Sequence, residues 1–300
     1  MSLFKLTVFC IAVLAVCGCD RGQPTPQGPA TSAVPAADFA ATKKDAESGD
    51  AKAQFDLGVM YHFGQGVPEE AVKWYLLAGD QGYAEAQHTL GVLYHTGQGV
   101  PEDYAEAVKW YRLAADQGLA KGQYKLGLMY YYGKGVPQDY AEAVKWFRLA
   151  ANQGYAEAQY KLGLMYENGQ GVPQNYAEAM KWYRLSAESG DAEAQNSVGS
   201  MYLKGQGVPQ NYAEAVKWFR AAAEQGYARA QLAIGLMYNN GEGVPKDRTE
   251  AYAWLSVAAA GGDADAVKVR DIIESELTPD QLAEGQRRAT ELLDKISSKQ

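Results

Sequence analysis

Six prolines mark a period along this chain of 300 residues. Pro68 and Pro101 stand 33 residues apart, and Pro137, Pro173, Pro209 and Pro245 follow at intervals of 36. A fixed spacing of that size means that one supersecondary unit recurs. Such a unit is too small to bury its apolar face alone and must stack on its neighbours. Function is therefore to be sought on the surface the stack shares, and no single catalytic pocket is expected.

The unit is plainest at Ala120–Gly154, AKGQYKLGLMYYYGKGVPQDYAEAVKWFRLAANQG. Its first half has apolar residues at helical spacing and no proline; its second half, DYAEAVKWFRLAA, is rich in alanine and equally helical. Between them, Gly133-Lys134-Gly135-Val136-Pro137 writes a turn, because glycine accepts positive φ after a helix end and proline blocks continuation. Asp103, Asp139, Asn175, Asn211 and Asp247 each precede a glutamate by three residues (Glu106, Glu142, Glu178, Glu214, Glu250), the pattern of a reciprocal capping box at the start of the second helix. Repeat one lacks three residues at this point (Pro68-Glu69-Glu70-Ala71), which predicts a second helix nearly a turn shorter and less well capped. Second helices end at Gly82, Gly118, Gly154, Gly190, Gly226 and Gly262, four of them followed by Tyr or Leu to close the cap.

These residues resemble the Sel-one-like repeat (SLR) family, relatives of the tetratricopeptide solenoids. In repeat four the resemblance is carried by Ala158, Leu162, Gly163, Met165 and Tyr166 in the first helix. The turn supplies Gly169, Gly171, Val172, Pro173, Tyr176, Glu178 and Ala179, and the second helix Lys181, Trp182, Tyr183, Arg184 and Ala187. The resemblance spans residues 50–262. It implies an all-α, right-handed α/α solenoid of about six helix-turn-helix repeats with helical caps, and an adaptor or scaffold role. Some relatives carry a disulfide in each repeat. Here all three cysteines (Cys10, Cys17, Cys19) precede the repeats, so the fold is expected to rely on packing alone.

The chain outside the repeats reads as leader, spacer and caps. Met1–Lys5 is weakly basic, Leu6–Val16 is an apolar run too short to span a bilayer, and Gly18-Cys19 follows, which makes residues 1–19 an export signal. The small residue before Cys19 resembles a bacterial lipobox, implying lipidation at Cys19; an ordinary cleaved signal is the alternative. Asp20 resembles an inner-membrane retention signal, which would place the protein in the cell envelope, lipid-anchored and facing the periplasm. Residues 20–37, rich in Pro, Ala, Gly, Gln and Thr, read as a flexible spacer. Residues 38–49 read as an N-terminal capping helix, and 263–300 as two capping helices. The last of these opens at Thr278-Pro279-Asp280-Gln281 and presents Leu282, Ala289, Leu292, Leu293 and Ile296 on one face.

Partner chemistry is narrowed by charge and by comparison among the repeats. A formal net charge of −8 argues against nucleic acid or an anionic lipid surface as the main partner. In the first helix, Ala51, Ala53, Gln54, Leu57, Gly58, Met60 and Tyr61 recur almost unchanged, as identical stacking requires. Lys52, Phe55, Asp56, Val59, His62 and Phe63 hold positions that vary, on an arc of roughly 120°. The candidate partner-binding residues on this arc are Phe55, Val59 and His62; His88, Val92 and His95; Tyr124, Leu128 and Tyr131 (with Tyr132); and Tyr160, Leu164 and Glu167. Repeats five and six supply Asn196, Ser200 and Leu203, then Leu232, Leu236 and Asn239. Aromatic side chains suit a protein or peptide groove. The alternative is that several of them pack between adjacent first helices.

Other recurring residues read as structural. Trp74, Trp110, Trp146, Trp182, Trp218 and Trp254 share one helical position and are expected in the core. Gly58, Gly91, Gly127, Gly163, Gly199 and Gly235 lie inside helices, where glycine costs roughly 1 kcal/mol against alanine, so a close helix contact is expected there. Lys145, Arg148 and their equivalents read as a solvated, mixed-charge face. His88 and His95 are seven residues apart, two helical turns, and His62 would have to join them for a zinc site. No nucleophile, phosphate-loop or metal-ligand motif is present. No catalytic residue, cofactor or metal is assigned. A protein-binding scaffold is the first expectation. A binder of cell-wall peptidoglycan or other polysaccharide is the second, and a hydrolase using His88 or His95 the third.

Overall fold

The structure is a computed structural model and describes residues 36–64 and 67–298. The expected signal peptide, the lipidation site Cys19, Asp20 and most of the spacer lie outside the described residues. Fifteen α-helices and one π-helical turn make up the fold, with no strand among the described residues. None of these helices is long and apolar enough to cross a membrane.

The chain forms two compact units that divide at Ala150 and Ala151. In the first, α1 (Ala36–Glu47) caps the pairs α2 (Ala51–Val59) with α3 (Pro68–Asp80) and α4 (Ala84–Thr96) with α5 (Tyr104–Asp116), followed by α6 (Ala120–Tyr132) and most of α7 (Tyr140–Asn152). The second contains α8 (Ala156–Asn168) with α9 (Tyr176–Glu188), α10 (Ala192–Lys204) with α11 (Tyr212–Ala223), and α12 (Ala228–Asn240) with α13 (Arg248–Ala260). It ends in the caps α14 (Ala264–Glu276) and α15 (Pro279–Ser297).

The interior glycines show why the two helices of a repeat sit so close. A Cβ on Gly91 would stand 2.5 Å from the Tyr111 ring, and one on Gly163 2.6 Å from Tyr183. The ring lying over the glycine belongs to the residue after each tryptophan, and Tyr75, Tyr111, Phe147, Tyr183 and Phe219 are all fully buried. The tryptophans therefore need correction: Trp254 is buried, but Trp74, Trp110, Trp146, Trp182 and Trp218 are half-buried. Trp110, on the second helix of repeat two, packs against the core formed by Tyr75, Leu90 and Leu93, so this position staples one repeat to the previous one. The arginine reading changes for the same reason. Lys109, Lys181 and Lys217 stay solvated beside their glutamates, whereas Arg112, Arg184 and Arg220 are half-buried and donate to Tyr130, Tyr202 and Tyr238 of the following first helix. Arg148 is exposed.

Capping also departs from the sequence pattern. Asp103, Asp139, Asn175, Asn211 and Asp247 do accept from the glutamate N–H three residues on. The reciprocal half is missing, because the N-cap N–H donates instead to the first-helix tyrosine carbonyl, as Asp103 does to Tyr94 at 2.9 Å. A tertiary acceptor has displaced the local one, leaving the glutamates of repeats two to five to pair with lysine. The full capping box occurs at Thr278 and Gln281.

In repeat one, α3 keeps 13 residues, the length of four of its five counterparts, because Pro68 itself takes the first helical position. It is less well capped, as Val67 offers no side-chain acceptor. The three missing residues are absorbed upstream: α2 stops at Val59 and Met60–Gly64 winds as a π-helix. In the C-terminal cap, Leu293 is 37% exposed and Gly285 takes its place on the buried face, against Tyr252.

A buried glutamine ladder ties the first helices to the preceding pair. Gln87 donates to the Gly79 carbonyl at 2.9 Å and accepts from Gln117 at 2.7 Å. Gln195 likewise donates to Ala187 and accepts from Gln225. In repeat four the ladder is broken. Gln159 donates to Ala151, but Ser189 stands where Gln117 and Gln225 stand in their repeats, and the buried Gln159 Oε1 has no partner. An unsatisfied buried acceptor costs about 1–3 kcal/mol. Ser189→Gln should therefore stabilise the protein by about 1 kcal/mol in denaturant unfolding; an unchanged or lower midpoint would show that Gln159 needs no partner.

Candidate binding surface

The variable arc is divided in two by the second helix of its own repeat. In the first unit, Phe55 lies between the rings of Tyr75 (5.7 Å) and Tyr83 (5.3 Å), and Val59 is buried below it. His88 is 2% exposed, 6.0 Å from the Tyr111 ring, and Val92 is 3% exposed. These four leave the candidate surface, because their flank of the helix turns toward the partner helix and they fill the core. His62 and His95 are half-buried, the latter edge-on to Tyr104 at 5.3 Å. Tyr124 and Tyr131 are half-buried against Phe147, at 5.7 and 6.5 Å, with Leu128 beside them; Tyr132 is 47% exposed.

In the second unit, Tyr160 packs 5.6 Å from Tyr183. Leu164 covers the core of Met180, Val198 and Met201. Glu167 accepts from the Tyr183 hydroxyl at 2.5 Å. These three, with Asn196, Ser200, Leu203, Leu232, Leu236 and Asn239, are half-buried. Packing against the second helix of the same repeat thus accounts for most of the ring contacts on the arc. What stays open is its outer edge: Thr96 on α4, Tyr132 on α6, and Glu157 and Asn168 on α8 are exposed, with Thr89, Lys121, Lys125 and Lys161 half-buried beside them.

Burial also sets the acid–base state of the arc. Burial, aided by Lys125 and Lys121, pushes the His88 imidazole down to about 3, so it is neutral and closed to solvent. Burial lowers His62 as well. The Tyr160 hydroxyl is raised to about 12, first by burial and then by Glu193. Among the described residues no three His, Cys, Asp or Glu side chains are grouped to hold a metal ion. The arrangement offers fixed apolar and aromatic edges flanked by charge, a surface for recognition. A second exposed feature escaped the sequence reading: Leu77, Leu113 and Leu149 in the first unit and Leu185 in the second are 44–48% exposed on second helices. Its signal was present in the leucine that recurs three residues after tryptophan.

Paired helices, repeated six times and presenting a variable edge, define an α-solenoid. The chain belongs to the Sel1 repeat family, whose repeats match residues 51–83, 84–119, 120–155, 156–191, 192–227 and 228–263. It is 40% identical to a protective antigen present in uropathogenic Escherichia coli strains that displays an SLR fold, with a TM-score of 0.77 over 84% of this chain. The chain spans 56% of that protein's length. It is 34% identical to a Sel1 repeat protein from Oxalobacter formigenes, with a TM-score of 0.67, covering 81% of this chain and 96% of the other. No curated protein matches the chain.

Proposed function

We propose that this protein is a scaffold that holds a protein or peptide partner along the outer edge of its first helices, tethered through a lipid on Cys19 to a bacterial membrane and facing the periplasm. The observation that carries the reading is that Tyr124, Tyr131 and Tyr160 are each packed against an aromatic of the partner helix and only half-buried. Pre-ordered aromatic edges give contact area without further loss of side-chain entropy. The envelope placement is supported by the leader pattern, an apolar run ending in Gly18-Cys19 with Asp20 after it.

Crosslinking in cells followed by mass spectrometry tests it, comparing wild type with Tyr124→Ala/Tyr131→Ala/Tyr160→Ala, both verified as folded by thermal melts. A partner protein recovered with wild type and depleted about tenfold with the variant is expected, as the loss of an aromatic anchor is worth 1.4 kcal/mol or more. Equal recovery would remove the surface, and retention on purified peptidoglycan with no protein captured would replace the partner by a glycan. Incorporation of labelled palmitate, abolished by Cys19→Ser, is the expected result for the anchor; labelling of the Ser variant would refute it.

A further inference from the structure

The charge of the chain is unevenly placed. With 36 acidic against 28 basic residues overall, the segment from Ala120 to Gly135 carries Lys121, Lys125 and Lys134 and no carboxylate. Two of these lysines lie on α6 itself, which has no acidic residue, whereas α2, α4, α8 and α10 each carry at least one, Glu85 on α4 among them, and α12 carries Arg229 alone. Both Lys121 and Lys125 act electrostatically on the buried His88 of α4, so their charge reaches across the seam between α4 and α6. Lys134, in the turn after α6, lies 5.2 Å above the ring of Tyr104 at the start of α5. Among these cations stand Tyr124, Leu128, Tyr131 and Tyr132, with Tyr131 and Tyr132 edge-to-face at 4.9 Å.

We infer that the α4–α6 face of the first unit receives an acidic peptide segment whose carboxylates meet Lys121, Lys125 and Lys134 and whose apolar side chains lie against Leu128 and the tyrosines. This rests on the scaffold reading above and adds the chemistry of the partner. Charge complementarity argues for the acid: salt screens the negative charge of the rest of the molecule beyond about 8 Å, so within that range a carboxylate is attracted by the local lysines. Hydrogen-bond supply argues for a peptide over an acidic polysaccharide. A glycan needs many hydroxyl partners, but Thr89 and Thr96 already donate to the Glu85 and Val92 carbonyls, at 2.8 and 2.9 Å, and the Tyr130 hydroxyl is engaged by Arg112. An apolar side chain needs none of these groups.

The test is selection from a random displayed dodecapeptide library on the full chain, followed by fluorescence anisotropy of an enriched peptide. Expected are sequences rich in Asp and Glu interspersed with Leu, Phe or Tyr, binding that weakens as salt is raised, and about tenfold loss in Lys121→Gln/Lys125→Gln. Lys109→Gln, on α5 outside the surface, should bind as wild type does. Enrichment of neutral or basic peptides that still depend on Tyr124 and Tyr131 would overturn the inference while leaving the scaffold surface standing. Acidic peptides indifferent to the two lysines would also overturn it. Alginate binding without any peptide enrichment would overturn both readings, and so would the absence of any binder.

Discussion

Gly163→Leu is expected to lower the melting temperature by about 10 °C, the effect of roughly 3 kcal/mol in a chain of this size. In an open helix, replacing glycine would help by about 1 kcal/mol, since glycine is the poorer helix former. Here the first added carbon would already stand 2.6 Å from the ring of Tyr183, which is buried and held by Glu167. The ring has nowhere to go, so α8 and α9 must separate. Gly79→Ala supplies the contrast. Ala115, Ala151, Ala187 and Ala223 fill the equivalent position in four other repeats, and the nearest atom to the new Cβ is the flexible end of Leu90. That variant should match or exceed wild type. Calorimetry showing equal melting for Gly163→Leu would remove close helix contact as the reason for the recurring glycine.

Acidification should destabilise the first unit through His88. Its imidazole is held near 3 in the fold, while in the unfolded chain it titrates at about 6.5. The folded value is the lower one, so the unfolded state binds the extra proton. Stability is therefore complete above about 6.5 and falls as pH drops toward 3, at about 1.4 kcal/mol per unit. His88→Phe reproduces the pairing of Phe55 with Tyr75 in repeat one and removes the titration. Urea unfolding from pH 6.5 to 5 should cost wild type about 2 kcal/mol more than the variant. The carboxylates titrate alike in both proteins and cancel in the difference. Parallel curves would mean that water reaches His88 in the folded protein.

Much of the architecture was legible because its signals are local. Gly133 and Gly97, each at positive φ after a first helix, and Asp103 or Asn175 at an N-cap, act through their own backbone neighbourhood. The same local rules misled where a distant group competed. Asp103 N–H has an acceptor in Tyr94, so the expected return bond from Glu106 does not form. Trp110 and Tyr111 are adjacent aromatics of equal promise in sequence, and only the approach of Gly91 decides that the tyrosine is the buried one. The candidate surface suffered most. Variation among repeats marked the arc, but it varies on both flanks: Phe55 and His88 differ between repeats because each core pocket accepts a different filler, whereas Thr96 and Tyr132 differ at the solvent edge.

The amino-acid sequence by itself determined the number of repeats, their helix pairs, their turns and the six-fold recurrence of the glycine contact, since periodicity and backbone conformation are properties of short stretches. Which side chains of the variable arc are sealed and which remain at the surface was decided by the tertiary structure alone. That choice depends on how far α4 leans onto α5, or α8 onto α9, and a packing angle of this kind is set by all the contacts of two helices together.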